Sequence, residues 1–301
     1  MKGAIALVAI TTVCAVSLSA QWPKFSEPGM PRDAQGRINM DAAPPRTADG
    51  KPDLSGDWVR ADRDPRPPEL AGIAAEQGAG ARGVVVEPPV AAFPADPNAP
   101  TLAAFWDIGT NLQGGLPITP WAAELKKKRM AVDSRDNPDA NCMPMGLTQF
   151  HMQPQPRKIV QTPTLTVILY EANYGTRFIY TDGRQLPPQG EPQPWWYGYS
   201  VGRWDGNTLV VETNNLRGAE QGPFDGWLDV RGSPYSDQAK FTERFRRPTF
   251  GKLEIDVTVN DPKSYTKPFT VRINQRLLAD EEPIEAVCNE NQQFRSRIKI
   301  D

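Results

Sequence analysis

One stretch of this 301-residue chain, Leu165–Thr213, is dense in side chains able to bind or move protons. It holds Tyr170, Glu171, Arg177, Asp182, Arg184, Trp204, Asp205 and Glu212. Arginine pairs with carboxylates, tyrosine hydroxyls hydrogen-bond phenol-like groups, and a glutamate whose pKa is tuned by burial can act as acid or base. A second cluster, Thr242–Arg247, sets Glu243 beside Arg244. Adjacent strand residues point to opposite faces, so one of the two faces inward unless the strand is an edge. A buried arginine wants a carboxylate partner, which Glu171 or Glu212 can supply. His151 is the sole histidine, either a lone general base or a bland residue in a loop entering the first long strand.

Aromatic residues crowd the same region: Trp195, Trp196, Tyr197, Tyr199, Trp204, Trp227, Tyr235 and Phe241. They fill a β core or line a pocket for a flat, phenol-like ligand. Gly198-Tyr199-Ser200-Val201-Gly202 matches the letters of a hydrolase elbow but lies within a strand pattern, not the strand–turn–helix that motif requires. No phosphate loop, dinucleotide fingerprint, His-Glu-x-x-His run or calcium loop is present. No metal or organic cofactor is expected, because two mature-chain cysteines and one histidine do not make a four-ligand zinc shell.

These residues must be positioned by strands. Thirty-one prolines and 24 glycines disfavour a helical bundle and suit short strands with many turns. Strand patterns are expected at Lys158–Gln161, Leu165–Ala172, Thr176–Thr181, Gly198–Trp204, Thr208–Thr213, Ala239–Arg246, Lys252–Asn260, Thr270–Leu277 and Ile284–Cys288. Asp205-Gly206-Asn207 and Asp182-Gly183 carry hairpin-turn chemistry. The expected fold is all-β, an antiparallel meander closing into a lipocalin-like (calycin) barrel with long Pro/Ala/Gly-rich loops. Period-two sorting places Arg177 with Ile179 and Glu212 with Val210, without saying which face is inward. Asp57 and Trp58 open a further strand, and Gly56-x-Trp58 resembles the motif whose tryptophan closes one end of lipocalin-type barrels. One short helix is predicted at about 119–132, capped by Thr119 with Pro120 at its first position. Ala122, Leu125 and Met130 would face the core, with Lys126–Arg129 a solvated face or a docking patch.

Residues 1–20 read as a secretory signal peptide cut after Ala20, so a secreted or periplasmic location is expected without stable membrane insertion. Residues 21–52 form an extended arm, and 53–301 a single barrel domain with a long insertion at about 62–117, a covering loop or a poorly ordered one. In an oxidising compartment Cys142 and Cys288 pair as a disulfide; two free thiols are the alternative. With 34 Lys and Arg against 36 Asp and Glu there is no basic surplus for nucleic acid. Composition does not set the oligomeric state.

The motifs YEANYGTRFIYTDGRQLP (170–187), GYSVGRWDGNTLVVET (198–213), WLDVRGSPYS (227–236), TERFRR (242–247), DPKSYTKP (261–268) and VCNEN (287–291) together resemble a large family of secreted bacterial β-rich proteins. The likeness spans roughly residues 52–291. Tyr235 stands where that family often has histidine, so no histidine-based role carries to this position. Some members are similar to cofactor-independent decarboxylases of lignin-derived biaryl acids. By analogy with phenolic-acid decarboxylases of lipocalin-like fold, the resemblance implies Arg177 and Arg184 on a substrate carboxylate, and Tyr170 and Tyr235 at the phenol end. Glu171 or Glu212 would manage the proton, and Tyr199, Trp204, Trp227, Glu243, Arg244 and His151 would line the site. A non-catalytic barrel binding a small hydrophobic ligand, or associated with the envelope, is the alternative.

Overall fold

The computed structural model describes residues 27–61, 93, 96–285, 287 and 288. The expected signal peptide and residues 62–92 of the insertion lie outside the described residues. Nine strands follow one another around a closed barrel: β1 (Gly56–Arg60), β2 (Arg157–Gln161), β3 (Leu165–Tyr170), β4 (Thr176–Tyr180), β5 (Tyr199–Asp205), β6 (Thr208–Asn214), β7 (Lys240–Thr249), β8 (Lys252–Asn260) and β9 (Phe269–Leu277). β9 pairs with β1 to close the ring. Closure leaves no open strand edge, so all-β barrel architecture is the fold.

The expected antiparallel meander holds at every seam but one. β4 and β5 pair parallel, with Ile179 opposite Ser200 and Tyr180 opposite Val201. A parallel pair needs a long return connection. The Pro-rich segment 181–198 supplies it, so Asp182-Gly183 opens this crossover and does not close a hairpin. Asp205 and Thr208, by contrast, pair directly across a two-residue turn with Gly206 at φ +59°. Where a strand was expected at Ile284–Cys288, the described residues belong to no strand, and Ile284 and Val287 are exposed. A disulfide joins Cys142 to Cys288 with Cα atoms 5.6 Å apart, tying that segment back to the body.

Alternation sorts the walls. Tyr170 and Ile168 on β3, Arg177 and Ile179 on β4, Ser200 on β5, Glu243 and Phe245 on β7, Ile255 and Val257 on β8, and Val271 and Ile273 on β9 are buried. Trp58 is fully buried near one end, with the Arg247 guanidinium 4.9 Å from its ring. A Cβ on Gly56 would lie 2.6 Å from Leu277 Cδ1 at φ +138°, which is why glycine begins this strand. The described part of the N-terminal arm lies on the β7–β8 turn, where the Phe250 and Gly251 amides donate to the Ala42 and Met40 carbonyls at 2.7 and 2.8 Å.

Among the described residues, two α-helices lie in the long β1–β2 connection. α1 (Pro120–Met130) has the predicted cap, the Ala122 amide donating to Thr119 Oγ1 at 3.3 Å. Its inward face differs from expectation: Met130 is 43% exposed, whereas Arg129 is buried, stacked 4.1 Å from the Trp227 ring centroid. Arg129 donates to the carbonyls of Asp225 and Gly226, so its cation is satisfied by backbone dipoles. α2 (Leu147–Met152), where a loop was expected, buries all six of its residues and carries His151 inward. Gly146 permits this seating, since a Cβ there would meet the Trp227 carbonyl oxygen at 2.2 Å.

Candidate functional site

Five elements converge on one buried polar cluster. α2 brings His151, β4 brings Arg177, β5 and β6 bring Ser200 and Thr213, and β7 brings Glu243. His151 Nε2 lies 2.7 Å from Glu243 Oε1, and Arg177 Nη1 donates to the same oxygen at 2.9 Å. Arg177 Nη2 bonds the second carboxylate oxygen, so the guanidinium grips Glu243 with both prongs. The Arg177 orientation is fixed further by Ser200 Oγ, 3.2 Å from Nε, and Thr213 Oγ1, 2.9 Å from Nη2. All five side chains are buried.

Burial alone would raise the Glu243 pKa; the Arg177 charge and the hydrogen bonds from His151 and Arg177 outweigh it and hold the carboxyl down at about 2. Burial likewise lowers His151, Arg177 and Arg157 adding to that, and the Glu243 bond only partly offsets them. The histidine is therefore neutral near pH 7. With Glu243 ionised, Nε2 must carry the proton, which leaves Nδ1 as a bare acceptor. Among the described residues Nδ1 has no partner.

Tyr170, stacked on Phe150 with ring centroids 4.3 Å apart, extends the cluster. Burial pushes its hydroxyl up to about 12, against the pull of the nearby Arg177 and Arg157 charges. Arg177 lies near enough for a weak hydrogen-bonding interaction with this hydroxyl, although the pair does not reach full hydrogen-bond geometry. Arg157, opposite Tyr170 on β2, is also buried and donates only to carbonyls: His151 at 2.5 Å, Gln153 at 2.6 Å and Gln155 at 2.8 Å. Its Nε is unpaired. Burial lowers its pKa to about 10, which leaves it charged at neutral pH. The surroundings of Tyr170 thus hold two guanidiniums against one carboxylate. An interior with excess positive charge and open hydrogen-bonding atoms suits an anionic or phenolic group. Phe150 packs in turn on half-buried Tyr197, at 5.2 Å, which forms an aromatic path from this cluster toward the surface.

The remaining sequence-predicted residues lie elsewhere. Glu212 points outward and pairs with exposed Arg203, because Thr213 takes the inward position beside it. Glu171 sits beyond the end of β3 and accepts from the Ile284 amide at 3.2 Å. Arg184 is outside the barrel, paired with Asp182 at 2.6 Å, stacked on Tyr180 and bonded to the Tyr199 hydroxyl at 3.0 Å. Arg244 faces outward against Asp205 at 3.1 Å. Trp204 is half-buried four residues beyond Ser200 on β5, about 13 Å along the strand. Trp227 is enclosed under Arg129 in the 215–239 loops, with its indole N–H donating to Pro223 at 2.9 Å. Tyr235 is buried edge-on against Phe241, 5.5 Å away, with burial raising its pKa; it is not part of the His151 cluster.

Of the proposed catalytic set, only Tyr170 and Arg177 join the site; His151 and Glu243 come to it from the proposed binding set. Ser200, Thr213 and Arg157 were not anticipated there. The signal for the two hydroxyls was their inward parity beside Arg177, but the parallel β4–β5 seam that brings them together has no sequence marker. No family model, no curated protein and no solved structure matches the chain. Among the described residues no group of three or more His, Cys, Asp or Glu is arranged to hold a metal ion, and no helix is long and apolar enough to cross a membrane.

Proposed function

We propose that this barrel acts on a small phenolic carboxylic acid as a cofactor-independent lyase of decarboxylase type, in the breakdown of lignin-derived aromatic compounds. The observation that carries the reading is the set of buried polar atoms His151 Nδ1 and Arg157 Nε, which are unpartnered among the described residues, with the Tyr170 hydroxyl held only loosely by Arg177, where two guanidiniums face one carboxylate. The roles differ from those drawn by analogy. Glu243, not Glu171 or Glu212, is the carboxylate of the site, and it orients His151 while staying ionised. His151 Nδ1 takes the phenol proton, Glu243 stabilises the imidazolium so formed, and the phenolate electrons move into the conjugated side chain. That side chain takes up a proton from solvent on the carbon bearing the carboxylate. The bond to the carboxylate breaks, CO₂ leaves, its electron pair restores the ring as a phenolate, and the His151 imidazolium returns its proton to the phenolate oxygen. Tyr170 orients the oxygen end, and Arg157 and Arg177 supply the positive field that holds the anion. A cleaved signal peptide and a periplasmic or secreted location belong to this reading, supported by the disulfide.

One observation favours a second reading, a barrel that binds a small hydrophobic molecule without changing it: Arg177 and Glu243 neutralise one another beside a helix that buries all its side chains inside. Purified protein incubated with a panel of phenolic acids, with CO₂ and product followed, separates the two. Turnover lost in Tyr170→Phe with the fold intact supports the lyase. Saturable binding without CO₂ release transfers the case to the binding barrel, and neither binding nor turnover across the panel sinks both.

A further inference from the structure

A second site lies outside the barrel, on α1. Ala123, Lys126, Lys127 and Met130 recur at i, i+3, i+4 and i+7 and so share one face of that helix. This face forms one wall of a cleft of about 580 Å³, whose other wall is built from the 107–118 turns, chiefly Leu116 and Ile118. That wall is tightly assembled: a Cβ on Gly109 would lie 2.5 Å from Leu116 Cγ. Lys126 spans the cleft to Asp107 at 2.6 Å, so the charge between the walls is neutralised. Lys127, exposed at the rim, has no acidic partner among the described residues. Met130, 43% exposed, adds apolar surface beside it.

We propose that this cleft binds a small amphipathic carboxylate, with its apolar body between Leu116, Ile118 and Met130 and its carboxylate on the Lys127 ammonium. The volume falls in the usual range for small-molecule sites, roughly 300–1,000 Å³, which such sites line with apolar groups and a few polar ones. The single uncompensated charge fixes the sign of the ligand: a cation would meet Lys127 with repulsion, and a neutral ligand would leave the ammonium unused.

The test is calorimetric titration of the full chain with octanoate and, separately, octan-1-ol. Octanoate is expected to bind saturably and more tightly than the alcohol. Lys127→Gln should weaken octanoate about three- to fivefold, the scale of an exposed ion pair, with the alcohol unchanged. Met130→Glu, which removes apolar surface and neutralises Lys127, should weaken octanoate further still. Both positions are exposed, so melting temperatures should stay near that of the wild type. Tyr170→Phe should leave octanoate binding unaltered, which separates this site from the barrel interior. Equal affinity for acid and alcohol, an unchanged affinity in Lys127→Gln, or no saturable binding (as when a second copy or the chain's own residues fill the cleft) overturns the proposal.

Discussion

Glu243→Gln is the most informative substitution in this molecule. Glu243 is fully buried between Arg177 and His151, and replacement by glutamine removes its charge while keeping its shape. Two independent routes give the size of the effect. The carboxyl is held at about 2 in the folded chain, against a reference value of 4.5; at about 1.4 kcal/mol per pH unit this is about 3 kcal/mol of stability at neutral pH. Removing one member of a buried ion pair and leaving the other charge uncompensated costs about 3–5 kcal/mol. Because the pKa is depressed, this stability is fully present above about 4.5 and is lost as the pH falls toward about 2. Urea unfolding at pH 7 should therefore place the variant about 3 kcal/mol below wild type, and the gap should narrow as the pH is lowered from 4.5 toward 2. Glu212→Gln is the control: its partner Arg203 is exposed, so its loss should cost under about 1 kcal/mol at any pH. A Glu243→Gln variant within 1 kcal/mol of wild type at pH 7, or a gap independent of pH, would refute an ionised, paired Glu243 and with it the site's electrostatics.

Three further outcomes are expected. His151 is the only histidine, so its ring resonances can be followed by NMR without assignment ambiguity; since burial lowers its pKa, their titration midpoint should fall below 6.5, and a midpoint at or above 6.5 contradicts a buried cluster. The unfolded chain takes up that proton below about 6.5 while the folded one resists, so His151 adds to the loss of stability as pH drops. Gly146→Ala should destabilise by at least about 2 kcal/mol in urea unfolding, because its Cβ would lie 2.2 Å from a backbone oxygen that cannot move aside; a neutral effect would mean α2 is not seated as described. Reduction of Cys142–Cys288, 146 residues apart in sequence, should lower stability by up to about 4 kcal/mol, read as a fall in melting temperature with reductant; no fall would show the C-terminal tether to be idle.

The barrel was legible because alternation and turn chemistry are local properties. Each strand from β2 to β9 was located within a few residues, and Thr119-Pro120 marked the start of α1. What was hidden is nonlocal. Parity placed Glu212 and Thr213 on opposite faces without saying which was inward, and only the closed ring decides that Thr213 faces Arg177. α2 was missed because a six-residue helix buried on every side has no amphipathic period to detect. Arg129 was read as solvated because its partners are carbonyls of residues 225 and 226, about a hundred positions away, and carbonyls carry no signature in the side-chain sequence.

The same consideration bears on why the polar cluster exists. A barrel this rich in Ile, Val and Phe needs no ion pair to cohere, and a buried pair exchanged for well-packed apolar groups is often neutral or stabilising. Ser200 and Thr213 complete the Arg177 hydrogen bonds, so that residue alone would pass as structural closure. His151 Nδ1 and Arg157 Nε do not fit that account, since each unpaired buried polar atom costs about 1–3 kcal/mol and closure gains nothing from it, and the Tyr170 hydroxyl beside them is only loosely held by Arg177. Their concentration around one end of α2, within reach of the Phe150–Tyr197 aromatic path, is a cost that a ligand carrying matching donors and acceptors would remove. Glu243 and Arg177 set the geometry, and the unpartnered atoms beside them define what that geometry is for.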